Sequence, residues 1–230
     1  MDLSVIIPAY NEEEGIEKAI MQTANVLADA GIKSEIIVVN DGSTDNTKDV
    51  CTRLKEKEKF IFIDQEKNKG YTETIKKGFA SASGEYVCYL DADLQYSPVD
   101  MLEMYRFAKS NNYALVIGNP PTKNYSFFKR LRSFVYNTLF IYALFQMKTK
   151  DVNSLKVMKR DVLNTFKIEH GAWMIDFEIV FRFKQKGYPI PKYPIKVYQR
   201  EVGESKVTLW NCASMIFEVL KFRVVTWLGK

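Results

Sequence analysis

Glu35-Ile36-Ile37-Val38-Val39, followed at once by Asn40-Asp41-Gly42-Ser43, sets the reading of this chain. A continuous apolar run rich in β-branched residues, ended abruptly by polar and turn-forming ones, is the pattern of a strand covered on both faces. The same pattern lies on either side of it. Leu3-Ser4-Val5-Ile6-Ile7 precedes it and is expected to stop at Pro8; Phe60-Ile61-Phe62-Ile63, Tyr86-Val87-Cys88-Tyr89-Leu90 and Ala114-Leu115-Val116-Ile117 follow. Between them lie helical patterns over 12–30, closed by Gly31, from a cap at Ser43 or Thr44 to about 58, over 72–82, and from Pro98 to about 110. Strands alternating with helices predict an α/β fold: a mostly parallel, Rossmann-like central sheet flanked by helices on both faces. In such sheets ligands bind beyond the carboxyl ends of the strands.

The second half is less regular. Residues 125–147 read as a long helix, 173–186 as another closed by Gly187, and 190–198 as extended chain broken by Pro191 and Pro194. From Val207 onward, Leu209, Ala213, Ile216, Leu220, Val224 and Trp227 fall near one face of an amphipathic helix. The expected organisation is a domain over 1–206, with halves 1–120 and 121–206, and a C-terminal helix over 207–230.

The chain of 230 residues is 47% hydrophobic and 27% charged, enough for a sizeable core without disulfides. Cys51, Cys88 and Cys212 lack metal-ligand spacing and read as reduced thiols, and the single histidine, His170, excludes a His-rich metal site. A net charge of +5 is too small to argue for nucleic acid. Lys123, Lys129, Arg130, Arg132, Lys148 and Lys150 bracket an apolar segment, as suits an anionic lipid surface or a phosphorylated ligand; a solvated protein face would look the same. That segment, 134–147, is shorter than the roughly 20 residues that span a bilayer. The N-terminus has no basic region or cleavage site, so no signal peptide is expected.

The chemistry-bearing residues stand at strand ends. Tyr89-Leu90-Asp91-Ala92-Asp93-Leu94-Gln95 puts two carboxylates one residue apart after a strand, where alternation is expected to turn both to one side. Such oxygens, with Gln95 as a further donor, suit a hard divalent cation that leaves positions open for a diphosphate; a simple turn would use the same letters. Pro8-Ala9-Tyr10-Asn11-Glu12 ends the first strand, and Val39 leads into Asn40-Asp41-Gly42-Ser43-Thr44-Asp45-Asn46-Thr47.

These segments, with Arg200-Glu201-Val202-Gly203-Glu204-Ser205-Lys206, resemble the family 2 glycosyltransferases of the GT-A fold, and within them the dolichol-phosphate or polyprenyl-phosphate hexosyltransferases. The resemblance implies that Pro8, Ala9, Tyr10, Asn11, Glu12, Val39, Asp41, Asp91 and Ala92 form the nucleotide-sugar pocket. It implies Mg²⁺ or Mn²⁺ on Asp91, Asp93 and Gln95, with Asp93, Gln95 and Arg200 as the catalytic set. Arg200, Ser205 and Lys206, together with Lys129, Arg130 and Ser133, would hold donor or acceptor phosphate. Trp173, Asp176 and Glu178 look like the family's acidic segment, one acid of which would touch sugar hydroxyls.

Three departures stand out. Thr72 and Thr74 follow Asn68-Lys69-Gly70 where the family has Gly and Ala; Asn119-Pro120-Pro121 lacks an Arg after Gly118; and Asp151-Val152-Asn153-Ser154-Leu155-Lys156 lacks the Gly of a Ser-Gly-Phe-basic run. The expected activity is inverting transfer of a hexose from GDP-mannose, UDP-glucose or a UDP-N-acetylhexosamine to a lipid phosphate. The expected place is the cytoplasmic face of a membrane, bound peripherally or through a membrane-protein partner or a second copy. Two alternatives stay open: a family 2 enzyme acting on a sugar hydroxyl, with Asp176 or Glu178 as base, and a nucleotide-sugar-binding protein without turnover.

Overall fold

The computed structural model describes residues 1–121, 152–169 and 174–198, and Phe222. The predicted helices over 125–147 and, Phe222 apart, 207–230 lie outside the described residues, as do Lys129, Arg130, Ser133, Trp173, Arg200, Ser205 and Lys206.

Among the described residues the chain runs β1 (Leu3–Ala9), α1 (Ile16–Asp29), β2 (Ser34–Asn40), α2 (Thr47–Leu54), β3 (Ile61–Asp64), α3 (Tyr71–Ser81), β4 (Tyr86–Tyr89) and α4 (Pro98–Ser110). There follow β5 (Leu115–Asn119), β6 (Lys156–Lys159), α5 (Arg160–Leu163), α6 (Ile175–Gln185) and β7 (Lys192–Pro194). The sheet order is β3-β2-β1-β4-β6-β5-β7. All pairings are parallel except those of β6, which runs antiparallel to both β4 and β5. The α/β architecture read from the sequence is therefore the one observed.

The apolar runs bury both faces, as parallel strands between helices must. Leu3, Val5 and Ile7 pack with Ile16 and Ile20 of α1, Val50 and Leu54 of α2, and Met101 and Tyr105 of α4. Ile6, Ile37 and Val39 face Ile75 and Phe79 of α3, Val162 and Leu163 of α5, and Phe177 and Phe183 of α6. Gly78 lets α3 lie on β1: a Cβ there would sit 2.4 Å from the Ile6 side chain.

Three boundaries differ from expectation, each for a local reason. β1 continues through Pro8, which pairs with Val39. The Ile6 carbonyl accepts from Leu90 on the β4 side, so by alternation the Pro8 nitrogen also faces that side, beyond the end of β4 at Tyr89 where no ladder bond is lost. Helix α1 starts at Ile16 rather than at residue 12, because Gly15 and Ile16 both donate to the Glu12 carbonyl in a preceding turn. Helix α2 starts at Thr47, not after Ser43 or Thr44, because residues 43–46 are committed to bonds with the β1–α1 loop. β6 has no counterpart among the expected strands: four residues with lysine at both ends carry no strand signal of their own.

Candidate active site

The loops beyond β1 and β2 are sewn together by the residues singled out in the sequence. Asn11, at φ 53°, accepts on Oδ1 from the Thr44 amide at 2.8 Å, and its own amide donates to Ser43 Oγ at 3.0 Å. The Glu12 amide donates to Thr47 Oγ1 at 2.9 Å, the Glu13 amide to Asp45 at 3.1 Å, and Glu13 accepts from the Asn46 amide at 2.9 Å. Much of the signal in these two segments is thus mutual structural bonding that shapes one rim of the site.

Asp41 is buried and grips the next loop. Its carboxylate accepts from the Lys69 and Gly70 amides at 2.8 and 3.0 Å, and from Gln65 Nε2 at 3.1 Å. Gln65 also donates to Thr74 Oγ1 at 3.0 Å, which gives one of the departing threonines a role in this loop. Gly42, at φ 63°, lies against it: a Cβ would meet the Lys67 carbonyl carbon at 2.4 Å. Pro8, Ala9 and Val39 are buried in the sheet, and Val39 packs in the core. Tyr10, Asn11 and Glu12 are partly exposed on the rim.

Strand β4 ends at Tyr89, and Asp91 and Asp93 stand in a turn closed by the Leu94 amide on the Asp91 carbonyl. The expected alternation therefore does not aim them. Asp91 is set by Tyr71, whose hydroxyl donates to Oδ1 at 2.9 Å from the start of α3. Asp93 takes the Gln95 amide on Oδ1 at 3.0 Å and lines a cleft with Glu12, Lys18, Ala92 and Tyr198. Gly15 closes the cleft from the other loop, its position allowing a Cβ only 3.2 Å from the Ala92 carbonyl. The two carboxylates are hard oxygen donors that suit Mg²⁺ or Mn²⁺ with most positions left to a ligand. Among the described residues no third His, Cys, Asp or Glu completes a metal cluster. The Tyr198 amide donates to the Gln95 carbonyl at 2.9 Å and the Lys196 amide to Asp100 at 2.9 Å, tying the chain after β7 to this turn.

A second group meets the same strand end from below. Asp176, in the first turn of α6, accepts on Oδ1 from both the Tyr89 hydroxyl and Lys156 Nζ. Lys156 is fully enclosed; it also donates to the Ser154 carbonyl at 2.7 Å and lies 5.6 Å from the Tyr89 ring centre. Asp91 belongs to this group electrostatically. Burial pushes the Tyr71 and Tyr89 hydroxyls well up, and the Asp91 and Asp176 charges add to it. Burial pulls Lys156 down, with Asp176 and then Asp91 opposing. Glu178 is different. It is fully buried and clamped by Arg182 Nη2 at 3.1 Å and by the Glu169 amide, which makes it a packing residue. Sequence reasoning gave no role to Tyr71, Tyr89 or Lys156, although Lys156 stood out as the basic residue that ends the segment 151–156.

Cys51 and Cys88 are buried free thiols. Burial and then Asp64 push Cys51 up to about 12, and burial pushes Cys88 further.

A sheet that reverses direction only at β6, with acidic residues gathered beyond β1, β2 and β4, defines a nucleotide-type α/β domain. Residues 4–180 match the profile of glycosyl transferase family 2, and the chain belongs to that family. It is 31% identical over 219 residues to the poly-beta-1,6-N-acetyl-D-glucosamine synthase of Staphylococcus aureus strain COL, covering 91% of this chain and 52% of that protein. The chain thus spans about half the length of the curated relatives it matches. Among solved structures it is similar to the glucosyl-3-phosphoglycerate synthase of Mycobacterium tuberculosis in complex with Mn²⁺, UDP-glucose and phosphoglyceric acid. The TM-score is 0.74 at 20% identity, over 96% of this chain and 79% of that one. The same enzyme with Mg²⁺ and UDP gives 0.72 at 18% identity, over 96% and 79%. At that identity the likeness establishes the fold, which is GT-A-like.

Proposed function

We propose that this protein transfers a sugar from a nucleotide-sugar to a hydroxyl of a saccharide acceptor, with Asp176 as the base. The observation that carries this is the placing of a partly exposed aspartate below the Asp91 turn. Both of its donors converge on Oδ1, and Oδ2 has no hydrogen bond among the described residues. A sugar hydroxyl needs such a group to accept its proton as it attacks. Asp176 Oδ2 takes that proton while the acceptor oxygen bonds to the anomeric carbon. The bond from that carbon to the diphosphate oxygen breaks, its electron pair leaves with the nucleoside diphosphate, and the anomeric centre inverts.

Asp91 and Asp93 would hold Mg²⁺ or Mn²⁺, which supplies positive charge to the departing diphosphate. The rim formed by Tyr10, Asn11, Glu12 and the Asp41 loop holds the nucleoside and keeps the donor in one orientation, the largest gain from proximity. The S. aureus relative is a synthase of a sugar-on-sugar polymer, which favours a hydroxyl acceptor over the lipid phosphate expected from the sequence. A UDP-N-acetylhexosamine or UDP-glucose is the donor class that fits these likenesses.

The lipid-phosphate reading keeps one support. The Tyr198 amide donates to the Gln95 carbonyl next to the Asp91–Asp93 turn, and Tyr198 stands two positions before Arg200, where the segment begins to which the family resemblance assigns phosphate binding. That reading also carries the expected membrane-surface location. One assay separates the two. Radiolabelled UDP-N-acetylglucosamine, UDP-glucose and GDP-mannose are each incubated with Mn²⁺ and either N-acetylglucosamine oligosaccharides or undecaprenyl phosphate. Label in oligosaccharide, formed about 100-fold or more slower in Asp176→Asn, is expected; label in lipid only, unaffected by Asp176→Asn, would overturn the hydroxyl-acceptor reading.

A further inference from the structure

The register of β6 against β4 pairs Cys88 with Val157, so Tyr89 and Lys156 are the next cross-strand neighbours, on the face that α6 covers. From there two donors from different strands reach one oxygen of one helix residue. A fully buried ammonium is a costly way to fill this space, and a methionine of similar length would pack there without desolvating a charge. An ion pair of this kind is weak evidence for stability, so its chemistry calls for another explanation.

We propose that Lys156 and Tyr89 are positioning residues for Asp176, locking its carboxylate so that Oδ2 alone is presented to the acceptor hydroxyl. The inference rests on Asp176 being the base. A carboxylate on a single helix residue can rotate about its terminal torsion, which is broad and roughly two-fold. Two donors on Oδ1 remove that freedom, since rotation would break both bonds at once. The donors are themselves fixed. Lys156 Nζ is held by the Ser154 carbonyl at 2.7 Å, and the Tyr89 ring packs edge-on to Phe79 with centroids 6.0 Å apart. Among the described residues neither donor lines the Asp93 cleft. The antiparallel insertion of β6 thereby acquires a function: it brings a lysine beside β4 where the parallel order of the other strands would not.

The test compares wild type, Lys156→Met, Tyr89→Phe, Asp176→Asn and the two double variants that combine a donor change with Asp176→Asn. Turnover is measured with radiolabelled UDP-N-acetylglucosamine and N-acetylglucosamine oligosaccharides, affinity for UDP with Mn²⁺ by calorimetry, and folding by thermal melting. Loss of orientation is expected to lower kcat about 10- to 100-fold in Lys156→Met and about 3- to 10-fold in Tyr89→Phe. Affinity for UDP should fall by much less than kcat, because the hydrogen bonds of both donors run to Asp176 and Ser154 and only the charge of Lys156 is felt at Asp91. In the Asp176→Asn background either change should cost less than about twofold more, since residues acting through one group are not additive. Equal factors with and without the Asp176 carboxylate, or UDP affinity falling in step with kcat, would show a merely structural role and overturn the proposal. If Lys156→Met fails to fold, the cycle is read from Tyr89→Phe, which removes only a hydroxyl. An Asp176→Asn enzyme with wild-type turnover sinks the hydroxyl-acceptor reading and this inference together. Loss in Asp176→Asn with full activity in both donor variants removes the inference alone.

Discussion

The hydroxyl of Tyr71 donates to Oδ1 of Asp91 at 2.9 Å, so the first residue of α3 sets the first carboxylate beyond β4. Asp91 is thereby oriented by a residue 20 positions earlier rather than by its own strand. Tyr71→Phe removes this bond with little change of volume. Affinity for UDP with Mn²⁺, measured by calorimetry, should fall about 10- to 100-fold, the worth of one hydrogen bond to a charged group. An unchanged affinity would mean that Asp91 does not need this anchor.

Asp93 carries the metal proposal most directly. Asp93→Asn keeps the shape and the acceptor oxygen that binds the Gln95 amide at 3.0 Å, but removes the charge. Transfer should drop at least about 100-fold, as expected when charge stabilisation of a leaving group is lost. Melting should be unaffected, and wild type treated with EDTA should lose transfer and regain it with Mn²⁺. Full activity in EDTA would remove the cation from the mechanism.

Gly42 stands where conformation and space both exclude a side chain, at φ 63° with the Lys67–Asn68 backbone as close as 2.4 Å to where a Cβ would lie. Gly42→Ala must displace the loop that Asp41 holds. We expect a loss of about 2 kcal/mol or more in denaturant unfolding, from strain at a left-handed position plus the clash. UDP affinity should weaken with it, because the same loop forms the rim. Wild-type stability in this variant would contradict the close approach of the two loops.

Glu35 predicts a pH dependence of stability. Burial alone would raise its carboxyl, but bonds from Ser4 Oγ at 2.6 Å and from the Ser83 amide at 2.7 Å, with the Ser83 hydroxyl, bring it below the ordinary value. A carboxyl lowered on folding contributes stability above its unfolded-state pKa and loses it as pH falls through its folded value. Unfolding free energy should therefore decline as the solution is acidified through the carboxylate range. Glu35→Gln should be less stable near neutral pH by about 1 kcal/mol and show a shallower acid slope. Parallel pH curves for the two proteins would refute the assignment.

The strand-and-helix alternation of the first 119 residues was legible because each element is a local statement. An apolar run, a period, a Gly or a Pro is read within about ten residues, and the layers follow from covering both faces. The acidic turn at Asp91 and Asp93 was legible for the same reason, as were the two loop segments that turned out to be bonded to each other. What the sequence could not contain was the partner of each group. β6 is a strand only because β4 and β5 lie on either side of it. Asp176 and Glu178, two residues apart, looked interchangeable. Folding gave Glu178 to Arg182 on its own helix and Asp176 to Tyr89, 87 residues away, and to Lys156 on the inserted strand. Chain-local patterns fix which elements form. Contacts between residues far apart along the chain exist only once those elements pack, and they choose which ion-paired carboxylate is fully buried and which one still offers an oxygen.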